Sequence, residues 1–135
     1  MVRILVLAGL CLALAGCSTV PTYVSYDRYD AYASDRAGNR TYKEVAPIRV
    51  TRRGHLWERC GQIAVRVMDE MKARKERARG DALVHVRWRD HRTAQMSTIP
   101  RCTQEWGWAA LAGVGALGPW AQVAHAEALI VRFED

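Results

Sequence analysis

The feature that most constrains this chain is its opening run, MVRILVLAGLCLALAGCS. One cation, Arg3, precedes an uncharged apolar stretch from Ile4 to about Leu14, and two small residues, Ala15 and Gly16, come next. That order of charged, apolar and small segments is the signature of a secretory signal peptide. The apolar stretch is too short to span a bilayer, which takes about 20 residues. Residues 1–16 therefore belong to export and not to the fold. The rest of the chain is long enough for one domain and not for two.

The end of that leader, Leu14-Ala15-Gly16-Cys17, resembles the bacterial lipobox. The resemblance implies a diacylglyceryl group on the Cys17 thiol, cleavage just before it, and acylation of the new amine. Two or more acyl chains hold a protein stably on a membrane where a single chain does not. Ser18 stands where an Asp would signal retention, which implies the outer membrane, with the domain facing the periplasm. The whole chain carries a formal charge of +6, and loss of Arg3 with the leader brings it to +5. A basic chain ordinarily suggests nucleic acid. Export removes that partner and leaves anionic headgroups, lipopolysaccharide phosphates or acidic envelope proteins.

Of the four cysteines, Cys11 leaves with the leader and Cys17 is the lipid site. Cys60 and Cys102 remain as a pair in an oxidising compartment, where a disulfide is expected. Closing that loop would contribute roughly 4 kcal/mol in the chain-entropy model. The competing reading is two separately buried thiols.

Residues 17–43 are poor in aliphatic side chains and read as a lipidated N-terminus and tether. Tyr23, Tyr26, Tyr29 and Tyr32 recur every third residue, a spacing that lines one side of a polyproline-II chain. The folded domain is expected over 44–135. Glu44–Thr51 reads as a strand, and Pro47 confines it to an edge or a bulge. Leu56, Cys60, Ile63, Ala64, Val67, Met71 and Ala78 recur at helical spacing. A rival parse makes Gln62–Val67 a strand and starts the helix at Met68; the sequence does not separate the two. The helix runs to Arg79, with Gly80 as its stop. Ala82–Arg89 alternates, with Ala82, Val84, Val86 and Trp88 on one face and His85, Arg87 and Arg89 on the other. Ala128–Glu134 alternates again. The expected architecture is α+β, a small sheet of three to four strands with one main helix packed on it.

Trp106–Ala124 is an apolar insertion without a single charged residue, rich in Gly, Ala and Trp. Small residues four apart, Ala109 with Gly113 and Ala112 with Ala116, would let it pack closely against a partner. It reads as a hairpin or loop packed on the domain, as a membrane-dipping or oligomerising element, or as a true span, which Gly113, Gly115, Gly118 and Pro119 weaken. Self-association is thus left open.

No catalytic set, metal site or cofactor motif emerges. Ser18, Ser25, Ser34 and Ser97 lie in the tether or a loop, away from any nucleophile-elbow context. His55, His85, His91 and His125 lack metal-ligand spacing and read as surface histidines. The densest charge feature is Lys72, Arg74, Lys75, Arg77 and Arg79, offset only by Glu76. It is either a solvated helix face or a patch for an anion or acidic partner, which Arg87 and Arg89 would reinforce.

Arg59-Cys60-Gly61-Gln62-Ile63, the basic helix after it, the run Gly80-Asp81-Ala82-Leu83-Val84, a late cysteine and a closing strand form a connected series. It is similar to the small disulfide-bearing outer-membrane lipoproteins that include the envelope-stress sensor of the Rcs phosphorelay. The likeness covers about residues 58–89 and 126–133. It implies an α+β domain, a Cys60–Cys102 bridge and a role in sensing or contacting other envelope proteins. It transfers no binding residues. The expected function is a non-enzymatic envelope lipoprotein acting as sensor or adaptor; the alternative is a structural subunit of an envelope complex assembled through 106–124.

Overall fold

The computed structural model describes residues 19–55, 58–90, 93–104 and 120–134. They form one sheet from β1 (Thr19–Pro21), β2 (Tyr42–His55), β3 (Ala82–Arg89), β4 (Met96–Ser97), β5 (Arg101–Gln104) and β6 (Trp120–Phe133), with one long helix, α1 (Cys60–Arg77). Two 14-residue strands, β2 and β6, pair antiparallel along their whole length and make the spine. On the other side of β6, β3 and β5 lie end to end, with β4 and β1 beyond them. The α+β class is as expected, but the sheet has six strands rather than three to four. Strands of two to four residues, such as β1, β4 and β5, are too short to carry a period.

The helix parse of residues 60–67 is the one adopted. Cys60, Ile63, Ala64, Val67, Met68 and Met71 are all buried against the sheet. At the N-terminus the Arg59 amide donates to Gln62 Oε1 at 3.1 Å, satisfying one orphan donor. The C-terminus departs from expectation. Arg79, not Gly80, takes the left-handed conformation, with φ 53°. The Arg79 amide donates to Glu76 O and the Gly80 amide to Lys75 O, which is a Schellman closure. Gly80 is needed for a different reason: a Cβ there would overlap the Ile130 Cγ2 methyl of β6.

Cys60 and Cys102 are disulfide-bonded, with Cα atoms 5.6 Å apart. The bridge ties the first turn of α1 to β5.

The expected alternation of β3 fails at its centre. Pairing with β6 shifts register between Val84 and Arg87, and His85 has φ 54°. This bulge flips the strand's facing. Leu83, Val86 and Trp88 join the core under α1, whereas Ala82 and Val84 join a second cluster with Ala37 and Val131 on the opposite face. Ala82 and Val84 therefore do not share a side with Val86 and Trp88. An inserted residue is invisible to a strict period of two.

The tether reading is corrected from residue 22 onward. Val24, Tyr29, Ala31 and Ala37 are buried. Residues 26–29 form a 3₁₀ turn rather than a polyproline stripe, and the chain then runs parallel beside β3. Four backbone bonds hold it there: Leu83 N–H to Asp30 O, Tyr32 N–H to Leu83 O, Val86 N–H to Tyr32 O and His85 N–H to Ser34 O. The tyrosines supply the apolar area that the missing aliphatics do not, and the hydroxyls of Tyr26 and Tyr29 find partners. Tyr26 accepts from Trp88 Nε1 at 2.8 Å and donates to Thr98 O at 2.6 Å; Tyr29 donates to Asp69. Only Tyr23 of the four stands out in solvent.

Burial raises the Tyr26 hydroxyl above its ordinary value of 10.0, against the opposing hydrogen bond from Trp88. Burial likewise raises Tyr29, with Asp69 adding to it. Both folded-state values lie above the unfolded one, so their contribution is complete below pH 10 and is lost as pH climbs through the raised values. Tyr26→Phe should cost about 1–2 kcal/mol at neutral pH by stranding the Trp88 N–H and the Thr98 carbonyl. It should also make the alkaline loss of stability shallower, as read by urea titrations from pH 8 to 11.

The long outer edge of β2 would invite pairing with another chain. It is blunted by Pro47, by a bulge between Glu44 and Ala46, and by two helix side chains. Arg74 Nη1 donates to Arg49 O at 3.0 Å and Arg66 Nη2 to Arg53 O at 3.4 Å. The edge-strand reading of Pro47 thus fits its place.

Candidate functional site

The fold distributes the expected cationic residues over three environments. Lys75 leaves the surface altogether. It is 4% exposed, and its ammonium donates to Tyr29 O, Asp30 Oδ2 and Asp81 O at 3.1–3.4 Å. The expectation that it belongs to a surface patch is corrected: it pins residues 29–30 and 81 to the helix.

Lys72, Arg74 and Arg77 stay on the outside of α1 and Arg79 is exposed in the turn after it, but two of the four are engaged. Glu70 takes Arg74 Nε at 2.8 Å, Arg52 at 3.2 Å and Arg77 at 3.7 Å. The Arg74 hydrogen bond, with the charges of Arg74, Arg52 and Arg77, holds the Glu70 carboxyl below its ordinary 4.5 despite the opposing effect of burial. That stabilisation is present above pH 4.5 and fades as pH falls through the lowered value. The helix face is therefore a partly neutralised network.

Arg87 and Arg89 do not reinforce it. Val86 and Trp88 face α1, so the arginines between and after them face the opposite side of the sheet. There they meet residues of β2 and β6 that the sequence does not single out. Ala124, Ala126 and Ala128 face the helix, as do Ile48 and Val50. His125, Glu127, Arg49, Thr51 and Arg53 accordingly face away. Register then builds three cross-strand rows: Arg49–Glu127–Arg87, Thr51–His125–Arg89 and Arg53–Val123–Thr103.

Within these rows Arg49 Nε lies 3.3 Å from Glu127 Oε1, and His125 Nε2 lies 3.3 Å from the same oxygen. Thr51 Oγ1 hydrogen-bonds His125 Nδ1, and Arg87 Nη1 donates to the Ala33 carbonyl. Arg53 and Arg89 are exposed, with no side-chain partner among the described residues. Four arginines thus face one carboxylate. Between the rows and the second apolar cluster lies a shallow hollow of about 280 Å³ lined by Pro47, Arg49, His85, Arg87, Glu127 and Leu129. Guanidinium groups fixed at one end and open at the other are suited to holding carboxylate or phosphate oxygens. The sequence signal that could locate this face is the His125–Glu127 spacing of two on a strand. The expected strand begins only at Ala128, which leaves the pair outside it.

Cys17, His91 and residues 106–119 lie outside the described residues; residues 120–124 of the apolar insertion form the start of β6. Among the described residues no group of three His, Cys, Asp or Glu side chains could hold a metal, and no helix is long and apolar enough to cross a membrane. No family model, curated protein or solved structure matches the chain.

Proposed function

We propose that this chain is a lipid-anchored envelope protein without catalytic activity, fixed through Cys17 to the outer membrane on its periplasmic side. There its domain binds an acidic envelope component in a sensor or adaptor role. The observation that carries the reading is the basic sheet face, where among the described residues of the three rows Arg49, Arg53, Arg87 and Arg89 stand against the single carboxylate of Glu127. A disulfide-closed domain suits an oxidising compartment. The binding surface moves accordingly from the helix to the sheet. The helix cations Arg74 and Arg77 already share Glu70 and Lys75 is internal, so they have less charge to offer a partner.

Two experiments test this. Labelled fatty acid fed to cells should appear on the mature protein, whose sequence should begin at Cys17; absence of label defeats the anchor. Arg53→Glu with Arg89→Glu should weaken capture of lipopolysaccharide, or of an acidic protein drawn from the same envelope, by about tenfold or more. The loss should shrink as salt is raised, because the groups are exposed. Both side chains lack partners among the described residues, so folding stability should change by less than about 0.5 kcal/mol. Unchanged capture would retire the sheet face.

A further inference from the structure

Among the described residues, four other than glycine have φ in the left-handed region: Asp30, Arg79, His85 and Ala94. Three of them turn the chain. Asp30 ends the 3₁₀ turn, Arg79 closes α1, and Ala94 lies in the turn that backbone bonds between Asp90 and Ala94 and between Asp90 and Gln95 close. His85 instead sits inside a strand, with φ 54° and an amide that donates to Ser34 O at 3.0 Å. The inserted residue lets Val84 and Val86 reach different apolar clusters, which explains the bulge but not the histidine. Glycine or asparagine would take this conformation at less cost. The imidazole adds nothing to the core, because the side chain is exposed. A backbone outlier that packing does not require points to a use for its side chain.

That side chain lines the hollow of about 280 Å³ together with Arg49, Arg87 and Glu127, and Pro47 and Leu129 supply its apolar part. Without the extra residue, Val84 on the far face would leave His85 pointing at α1; with it, His85 shares the face of Arg87. Arg87 is tied through Nη1 to the Ala33 carbonyl and Arg49 through Nε to Glu127. The remaining guanidinium N–H groups of both have no partner among the described residues. Glu127 already receives Arg49 and His125, so its charge is answered. Three donor side chains therefore meet from two strands, Arg49 from β2 and His85 and Arg87 from β3, on either side of β6. A planar carboxylate has two oxygens and is matched by one guanidinium. A phosphate presents three or more at tetrahedral angles and takes donors from several directions. The volume falls just below about 300 Å³, where sites for whole small molecules begin, and suits a single headgroup.

We infer that this hollow is a phosphate site, in which His85, Arg87 and Arg49 hold the oxygens of a terminal phosphate monoester. The site deepens the binding reading proposed above and rests on it for its partner. Either tautomer of the ring supplies one N–H, so the contact does not need a charged imidazole. A lipid headgroup such as phosphatidic acid and a soluble ester such as glycerol phosphate carry the same group.

Glycerol phosphate titrated into the purified protein should shift the amide resonances of Arg49, His85 and Arg87, and the ring resonances of His85, to saturation. His85→Asn keeps a residue that tolerates the left-handed conformation and removes the ring. It should weaken binding by about tenfold and leave the urea midpoint unchanged. His85→Gly should lose as much affinity while unfolding at an equal or higher urea concentration, a result that a merely structural histidine would not give. If either variant binds as the natural chain does, the ring is no ligand and the inference falls. Acetate that shifts the same resonances at the same concentrations overturns the phosphate assignment. Dihexanoyl phosphatidic acid bound more tightly than glycerol phosphate assigns the ester to a lipid, through Pro47 and Leu129; equal affinity assigns it to a soluble ester. No saturable shift at the hollow, with lipopolysaccharide capture still sensitive to Arg53→Glu and Arg89→Glu, overturns the hollow and leaves the sheet face standing. Phosphate bound in the hollow with capture indifferent to that pair upholds the hollow and retires the wider surface.

Discussion

Replacing Cys60 and Cys102 together by Ser should cost about 4 kcal/mol, the loop-closure value for the roughly 43 residues they enclose. That loop holds α1, β3 and β4, so nearly half of the core is assembled inside it. Cys102 is fully buried and Cys60 nearly so; the serine hydroxyls would add a desolvation cost to the lost constraint. Domains of this size are stable by about 5–15 kcal/mol, so the change consumes a large share. With a urea slope of about 1–3 kcal/mol per molar, the midpoint should fall by roughly 2 M. Reduction of the natural protein should give the loop-closure part of that shift without any substitution. A loss below about 1 kcal/mol would mean that the unfolded chain already holds the loop closed, and the entropic account would fail.

The parts of the fold legible in the sequence are those where one face of a regular element is buried. The helix from Met68 onward is legible on either parse, whereas residues 60–67 are open between helix and strand until the burial of Ile63, Ala64 and Val67 against the sheet decides for the helix. Pro47 announces an edge, and β2 is one. The disulfide follows from compartment and count. Three failures have physical causes. The bulge at His85 inserts a residue, so Ala82 and Val84 lie on the opposite face from Val86 and Trp88; Arg87 and Arg89 keep their place opposite Trp88, and because Trp88 faces α1 they lie on the far side of the sheet from the helix cations. Residues 22–43 contain few aliphatics, but burial needs area and not aliphatic character, and Tyr26 and Tyr29 provide it once Trp88, Thr98 and Asp69 satisfy their hydroxyls. The basic sheet face depends on register between β2, β3 and β6, three strands far apart in sequence, and no local pattern encodes that. Half of the cations grouped there, Arg49 and Arg53, sit in a stretch that reads as a strand and a turn and gives no reason to single them out.

Lys75 is where a misread charge has the largest consequence. Three cations of its run are exposed, yet its own ammonium uses its three donors on Tyr29 O, Asp30 Oδ2 and Asp81 O, while the stem lies under Gly80. Lys75→Met keeps the stem and removes the donors, leaving carbonyls of the 29–30 and 81 segments without their partner. We expect a loss of about 2–3 kcal/mol, with Lys75→Ala costing about 1 kcal/mol more for the cavity. Asp30→Asn should cost less than about 1 kcal/mol, because that carboxylate is mostly in solvent and is one of three acceptors. The damage should also be local. The amides of Tyr32, Leu83, His85 and Val86, which stitch residues 30–34 to β3, should exchange faster with solvent than those joining β2 to β6. If Lys75→Met unfolds within about 0.5 kcal/mol of the natural chain, Lys75 is an ordinary surface cation, and the docking of residues 22–43 does not depend on it.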